Sequence, residues 1–250
     1  MMEVLSNYDF TMIQWAVVIM TSFVVGIDKS GLPTLLIIIP IVAQILGGKL
    51  SAGFLLPLLV IGDIFAVIYY KRHMEIKILL KLLPWAIFGV MIGLFVGGLV
   101  SDAQFKMIIG IIVLICVFLL IAKKDSLSNY LSEKWYFHIV MGILGGFSSM
   151  IGNAAGPIMV VYFLSMNLSK NRFIGTMSWF FFVLNLIKLP LYAFVWHNIT
   201  LESFQLNLMI FPLILVGAFI GVRVVKFVPE KSYRLMMIGV TIIGAARLLS

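Results

Sequence analysis

Apolar residues run along this chain in blocks too long and too uniform for a water-soluble surface. Ten such blocks, at roughly 11–25, 32–46, 52–70, 82–100, 104–122, 136–151, 156–166, 173–195, 204–225 and 231–249, are separated by short polar or basic links. Most approach the ~20 residues that a helix rising about 1.5 Å per residue needs to cross a ~30 Å hydrocarbon core. The blocks opening near Leu32 and Gly156 are shorter, only ~16–23 Å of helix, and predict half-helices or hairpin arms. Ser51, Ser101 with Asp102, and Ser169 stand at block starts, where a helix cap is expected.

The blocks also repeat. Pro84, Gly89 and Gly93 share their spacing with Pro212, Gly217 and Gly221, and the register continues through Asp102, Phe105 and Lys106 against Glu230, Tyr233 and Arg234. With a small change of offset, Gly53 falls on Gly175, Asp63 on Asn185, Tyr70 on Tyr192 and, farther upstream, Gly31 on Gly156. Glycine and proline are common in membrane helices, which accounts for the residue types but not for an ordered series of shared spacings. The chain reads as a single transmembrane domain over 1–250, with repeat 1 at about 11–122, a linker at 123–134 and repeat 2 at about 135–249.

Composition agrees and charge adds direction. The 250 residues are 62% hydrophobic and 11% charged, and no polar block is large enough to fold by itself, so function must sit within or beside the bilayer. The net charge of +8 is no sign of nucleic acid, because the bases lie in short links between apolar blocks. Cys116 stands alone among apolar residues and packs as a small hydrophobe. The amino terminus carries Glu3 and Asp9 and no base before the first block, unlike a signal peptide.

Four links hold thirteen of the 18 basic residues: Lys71 to Lys81, Lys123 to Lys134, Lys170 with Arg172, and Arg223 to Arg234. All four are expected on the cytoplasmic side. That requires 135–166 to cross twice or to enter and return, so each repeat makes an odd number of crossings and the second inserts upside down. The fold expected is therefore an all-α polytopic membrane protein of two inverted repeats, each beginning with a broken helix or helical hairpin. The alternative, one long crossing at the start of each repeat, puts Lys170, Arg172 and the 223–234 cluster outside.

The links that interrupt the first block of each repeat carry the candidate chemistry. VVGIDKSGLP, Val24 to Pro33, places an acid, a base and a serine where a helix ought to continue, and irregular backbone at membrane depth is tolerated only where it is buried in protein or lines a polar cavity. Pro33 is expected early in the following half-helix with Ser30 as its cap. Gly152-Asn153-Ala154-Ala155-Gly156-Pro157 has the same character in repeat 2, preceded by Gly145, Gly146, Ser148 and Ser149. In an inverted repeat the two helix starts converge, and their N–H groups and positive dipole ends suit an anion; a pair of glycine packing contacts is the plainer reading.

Asp63 is central in its block, and Asn185 and Lys188 share one face of the equivalent block. A charge there costs ~2.5–3.5 kcal/mol to insert and is functional by default; a buried Asp63–Lys188 ion pair joining the repeats, or a Lys188 that snorkels outward, are the structural alternatives. Thr176 and Ser178 offer hydroxyls, and Trp179 to Phe182 form either a cavity wall or a lipid-facing stripe. His73, His138 and His197 lie at block ends and are expected at the interface. The sequence has no metal-ligand cluster, nucleophile elbow, phosphate loop or paired catalytic carboxylates, so neither an enzyme nor a cofactor is expected.

GIDKSGLP with Pro40, LLPLLVIGDIFAVIYYKRH at 55–73, LLPWAIFGVMIG at 82–93, GFSSMIGNAAGPIMVVYFL at 146–164 and IGTMSWFFFVLNLIKLPLY at 174–192 resemble the sulfite exporter TauE/SafE family over nearly the whole chain. The resemblance implies a bacterial inner-membrane permease for sulfite, sulfonates or related organic anions. Asp-Lys-Ser-Gly in the first break sets this chain apart from those members of that family that have three adjacent glycines there. The expectation is a secondary transporter of a small anion working by alternating access, with a passive anion channel and a membrane scaffold as alternatives. Lys29, Ser30, Gly31, Asn153, Ala154, Gly156, Asn185 and Lys188 are the candidate anion contacts, and Asp63 the candidate carrier of a coupling proton. The partners expected are the anion, the lipid bilayer and that proton, with no metal.

Overall fold

The computed structural model describes residues 10–46, 48–96 and 134–249, and among them all regular structure is helical. The block at 104–122 with Cys116, the residues Ser101, Asp102, Phe105 and Lys106, and links Lys123 and Lys124 lie outside the described residues. The helices are α1 (Met12–Lys29), α2 (Leu35–Leu46), α3 (Gly48–Tyr70), α4 (Ile76–Val96), α5 (Trp135–Gly152), α6 (Gly156–Ser165), α7 (Lys170–Pro190), α8 (Leu201–Phe227) and α9 (Glu230–Leu249). Among the described residues six stretches are long and apolar enough to cross a membrane, and α2 and α6 are the two short arms the block lengths predict. Local signals set the ends. Thr11 and Gln14 form a capping box at the start of α1, and after Pro190 the helix widens into a π turn over Leu191–Val195.

The chain divides into two compact units that cut across the sequence repeats. The first holds Met1–Tyr69 and Asn185–Phe227, the second Tyr70–Leu184 and Val228–Ser250. In the first, α1 turns back into α2 as a helical hairpin: Gln14 Nε2 donates to Ile45 O at 3.5 Å near the open end, and Thr34 Oγ1 to Val24 O at 3.2 Å near the turn. In the second, α5 turns back into α6 in the same way, with His138 near the start of α5 bonded through Nδ1 to Tyr162 Oη near the end of α6 at 2.7 Å. His138 is thus buried within this hairpin, which closes over the imidazole, and Tyr162 supplies its partner.

Glycines let helices approach to backbone contact, and the two units do this with one pattern. Between α4 and α5, a Cβ at Gly89 would strike the carbonyl of Ile143, one at Gly93 would strike Met150 and crowd Phe147, and one at Gly146 would strike Ala86 and Val90. Between α8 and α1, Gly217 abuts the carbonyl of Phe23, Gly221 abuts Ser30 and Ile27, and Gly26 abuts Ile214 and Ala218. Every spacing in the first set recurs in the second, so the duplication extends to contacts. Gly53 and Gly175 add a further match, since they lie against Asn198 and His73, each three residues before the helix that follows. The opposite faces of α4 and α8 expose Phe88, Phe95, Phe211 and Phe219, which is the arrangement of helices with small residues inside and large apolar ones toward lipid.

The basic links of the second unit are tied to one another. Arg172 Nη1 pairs with Glu75 Oε1 at 2.7 Å, Lys170 Nζ donates to Val228 O at 2.6 Å, and Arg234 Nη1 to Asn167 Oδ1 at 3.3 Å. The links at 71–77, 167–172 and 228–234 therefore share one side of this unit, against the alternative that separates them.

Candidate functional site

The first break is built from the last turn of α1. The helix continues through Asp28 and Lys29, and Ser30 closes it, its N–H reaching Gly26 O and Ile27 O and its Oγ donating to Ile27 O at 2.6 Å. Gly31 follows at φ 113°, a conformation that favours glycine. The first N–H of α2, from Leu35, is accepted by Asp28 Oδ1 at 2.9 Å. Ser30 is therefore not the cap of the second helix, as the sequence suggested. Its hydroxyl turns back onto α1, and the Asp28 carboxylate meets the positive end of α2 instead. Pro33 sits just before the helix rather than within it.

Lys29 leaves α1 in another direction and crosses Gly62, where a Cβ would lie 2.8 Å from the lysine Cγ. Its Nζ reaches Asp63 Oδ1 at 2.6 Å. The other carboxylate oxygen, Oδ2, accepts from Asn185 Nδ2 at 2.7 Å, and Lys188 Nζ donates to Asn185 Oδ1 at 3.4 Å. This order is chemically consistent, because a carboxylate accepts the amide N–H while an ammonium takes the amide oxygen. Lys188 Nζ also lies 5.5 Å from the ring centroid of Tyr192, which the π turn carries. Asp63 and Lys188 are fully buried, Asn185 is 1% exposed and Lys29 8%. The result is a chain of ammonium, carboxylate, amide and ammonium inside the first unit, with two cations to one anion along it. The sequence brought Asp63 and Lys188 together as a candidate pair; the structure pairs Asp63 with Lys29 at 2.6 Å and sets Lys188, fully buried, on the amide of Asn185.

In the second unit α5 ends on Asn153 at φ 54°, with Asn153 N donating to Ser149 O and Ala154 N to Ser148 O, both at 3.1 Å. These bonds satisfy the last carbonyls of the helix. α6 then starts at Gly156 with Pro157 in its first turn, and the residue before it, Ala155, brings no capping side chain. Gly156 is the first helical residue here, whereas Gly31 lies four residues ahead of α2, so the two glycines match in type and not in place. Asn153, with its left-handed backbone, holds the role of Gly31.

Of the residues read from sequence, Lys29, Asp63, Asn185 and Lys188 meet in one cluster, Ser30 and Gly31 shape its neighbouring break, and Asn153, Ala154 and Gly156 form the break of the other unit. Thr176 and Ser178 donate to the carbonyls of Arg172 and Ile174 on their own helix, and of Trp179 to Phe182 Phe180 is buried while the other three are partly exposed. Sequence reasoning missed Asp28, Gly62 and Tyr192. The acid beside Lys29, the glycine beside Asp63 and the tyrosine after Pro190 were the available signals.

The family model of the sulfite exporter TauE/SafE matches residues 15–248. The chain belongs to this family. No curated protein and no solved structure matches it. The TauE/SafE match runs from α1 into α9 and so takes in both breaks and the charged cluster. Together with the six helices of membrane-spanning length among the described residues, membership makes this TauE/SafE protein an integral membrane protein of a transporter family.

Proposed function

We propose that this TauE/SafE protein is a proton-coupled secondary transporter of a small sulfur-containing anion, such as sulfite or a sulfonate, in the bacterial cytoplasmic membrane. The carrying observation is the buried Lys29–Asp63–Asn185–Lys188 chain, in which a second buried ammonium, Lys188, lies beyond the Lys29–Asp63 ion pair. Such charge is costly at membrane depth unless it meets a ligand or counter-ion in the working cycle. Lys29 and Lys188 supply countercharge to the anion, and Asn185 a hydrogen bond. Asp63 takes a proton when the anion draws Lys29 away, so anion and proton move together. Ser30 and Gly31 in the first break, and Asn153, Ala154 and Gly156 in the second, each offer backbone donors within their own unit.

Alternating access rests on the two repeats being inverted. The shared contact spacings of α4 with α5 and of α8 with α1 support this. So does the Asp63–Asn185 bond, since it joins positions that are equivalent in the repeats, as residues beside a two-fold axis are. The orientation is tested in a Cys116→Ala background. Single cysteines replacing Lys77, Glu202 and Lys231, all exposed, are treated in intact cells with a membrane-impermeant thiol reagent. Labelling is expected at position 202 alone, because α4 begins inside and α8 outside. Labelling at 77 as well as 202 would give the two helices the same direction and end the inverted arrangement.

The function is tested in proteoliposomes. Saturable sulfite counterflow, accelerated by an inward proton gradient, is the expected result. Sulfite conductance without counterflow would make the protein a passive channel.

A further inference from the structure

The two breaks differ in what meets the short helix. In the first, the Asp28 carboxylate accepts the leading N–H of α2. The glycine contacts give the counterpart of Asp28 in the second unit: Phe147 and Met150 of α5 lie against Gly93 as Ile27 and Ser30 of α1 lie against Gly221, so Ser148 holds the register position of Asp28. A serine there lacks the carboxylate carbon, one oxygen and the charge. Ser148 is fully buried, and its Oγ has no hydrogen-bond partner among the described residues. It stands three residues after Gly145, whose open side abuts Met159 of α6, so its side chain leaves α5 on the face toward α6.

The start of α6 has the complementary need. Its first-turn N–H groups have no acceptor within the helix, Pro157 contributes none, and Ala155 provides no side-chain oxygen. Gly156 and Ile158 are left as the backbone donors at a positive helix end. A buried hydroxyl and an uncapped helix start thus call for an acceptor-rich, negatively charged group of about carboxylate size.

We propose that a small oxyanion binds in the second break, accepting from Ser148 Oγ and from the backbone N–H groups of Gly156 and Ile158, in the place that Asp28 fills with its own carboxylate in the first. This inference rests on the anion-transporter reading and assigns the anion's oxygens to a specific donor set that includes Ser148. The first break is then closed by the protein itself, and the second is completed by the substrate. The charged cluster and this pocket contribute separately to affinity.

The test uses the full-length protein purified in detergent, with sulfite titrated against chloride at fixed ionic strength and binding read from the melting shift. Ser148→Ala should weaken sulfite binding about tenfold, the effect of losing one hydrogen bond to a charged group. Ser148→Asp installs in the second break the carboxylate that the first already has. It should keep the sulfite-free melting temperature at or above that of the wild type and weaken sulfite binding about a hundredfold or more through like-charge exclusion. Should Ser148→Asp fail to fold, Ser148→Ala decides alone. Wild-type affinity in Ser148→Ala, or in a folded Ser148→Asp, overturns the pocket; if Lys188→Met loses binding in the same assay, the transporter reading stands without it. Wild-type protein that shows neither a sulfite shift nor counterflow overturns both.

Discussion

The double replacement Lys29→Met with Asp63→Asn is expected to recover most of the stability that either single change costs. Each single change strands a buried charge, at about 3–5 kcal/mol by comparison with other buried pairs. The double removes both charges together. Asn at 63 still offers an oxygen to Asn185 Nδ2, and Met at 29 keeps the straight apolar stem that fits across Gly62. The coupling, read as melting temperatures of the four proteins in one detergent, should therefore be large and favourable. Pairing Asp63→Asn with Lys188→Met is the control. It leaves Lys29 without its carboxylate and should stay as unstable as Asp63→Asn alone. Recovery in the control, with none in the Lys29 pair, would mean that Asp63 belongs to Lys188 and that the 2.6 Å contact with Lys29 does not govern stability. The Lys29–Asp63 double variant, though folded, should lose proton-driven sulfite uptake, since no carboxylate remains to carry the proton.

How far the sequence revealed this site depended on the range of the interaction. Long apolar blocks made α1, α3, α4, α5, α7 and α8 legible, because a membrane helix is specified by length and hydropathy alone. The short arms were legible for the same reason. Glycine spacing exposed the duplication, and the structure gives a cause at Gly53, Gly89 and Gly217, where a neighbouring backbone leaves no room for a Cβ, and at Gly93 and Gly221, where a neighbouring side chain does. The ends of the helices at the breaks were less readable. Whether Ser30 or Asp28 caps α2 turns on how far α1 continues, and one more helical turn moves the capping duty from one side chain to the other. The partner of Asp63 was least readable. Lys29 and Lys188 are both central and basic, and only the direction of a long side chain across Gly62 separates them.

Lys188→Met should leave the fold intact and reduce sulfite affinity by tenfold to about a hundredfold, the range for losing a charge-assisted contact. Stability is expected to hold because Asp63 keeps Lys29 and Asn185, so no carboxylate is stranded, and because a buried ammonium replaced by an apolar group of similar length loses no hydrophobic contact and sheds a desolvation cost. Tyr192 retains a flat partner for the methionine in place of the cation. The loss of affinity follows from charge. Lys188 adds a buried positive charge beyond the Lys29–Asp63 pair, and replacing it takes away that share of the attraction for an anion whether or not Asp63 is charged. The same loss should appear beside Asp63→Asn, which a lysine serving only as a counter-ion to Asp63 cannot produce. The measurement is the sulfite-induced melting shift at fixed ionic strength. Wild-type affinity in Lys188→Met would remove this ammonium from the anion's reach and leave Lys29 and the helix starts to provide the attraction.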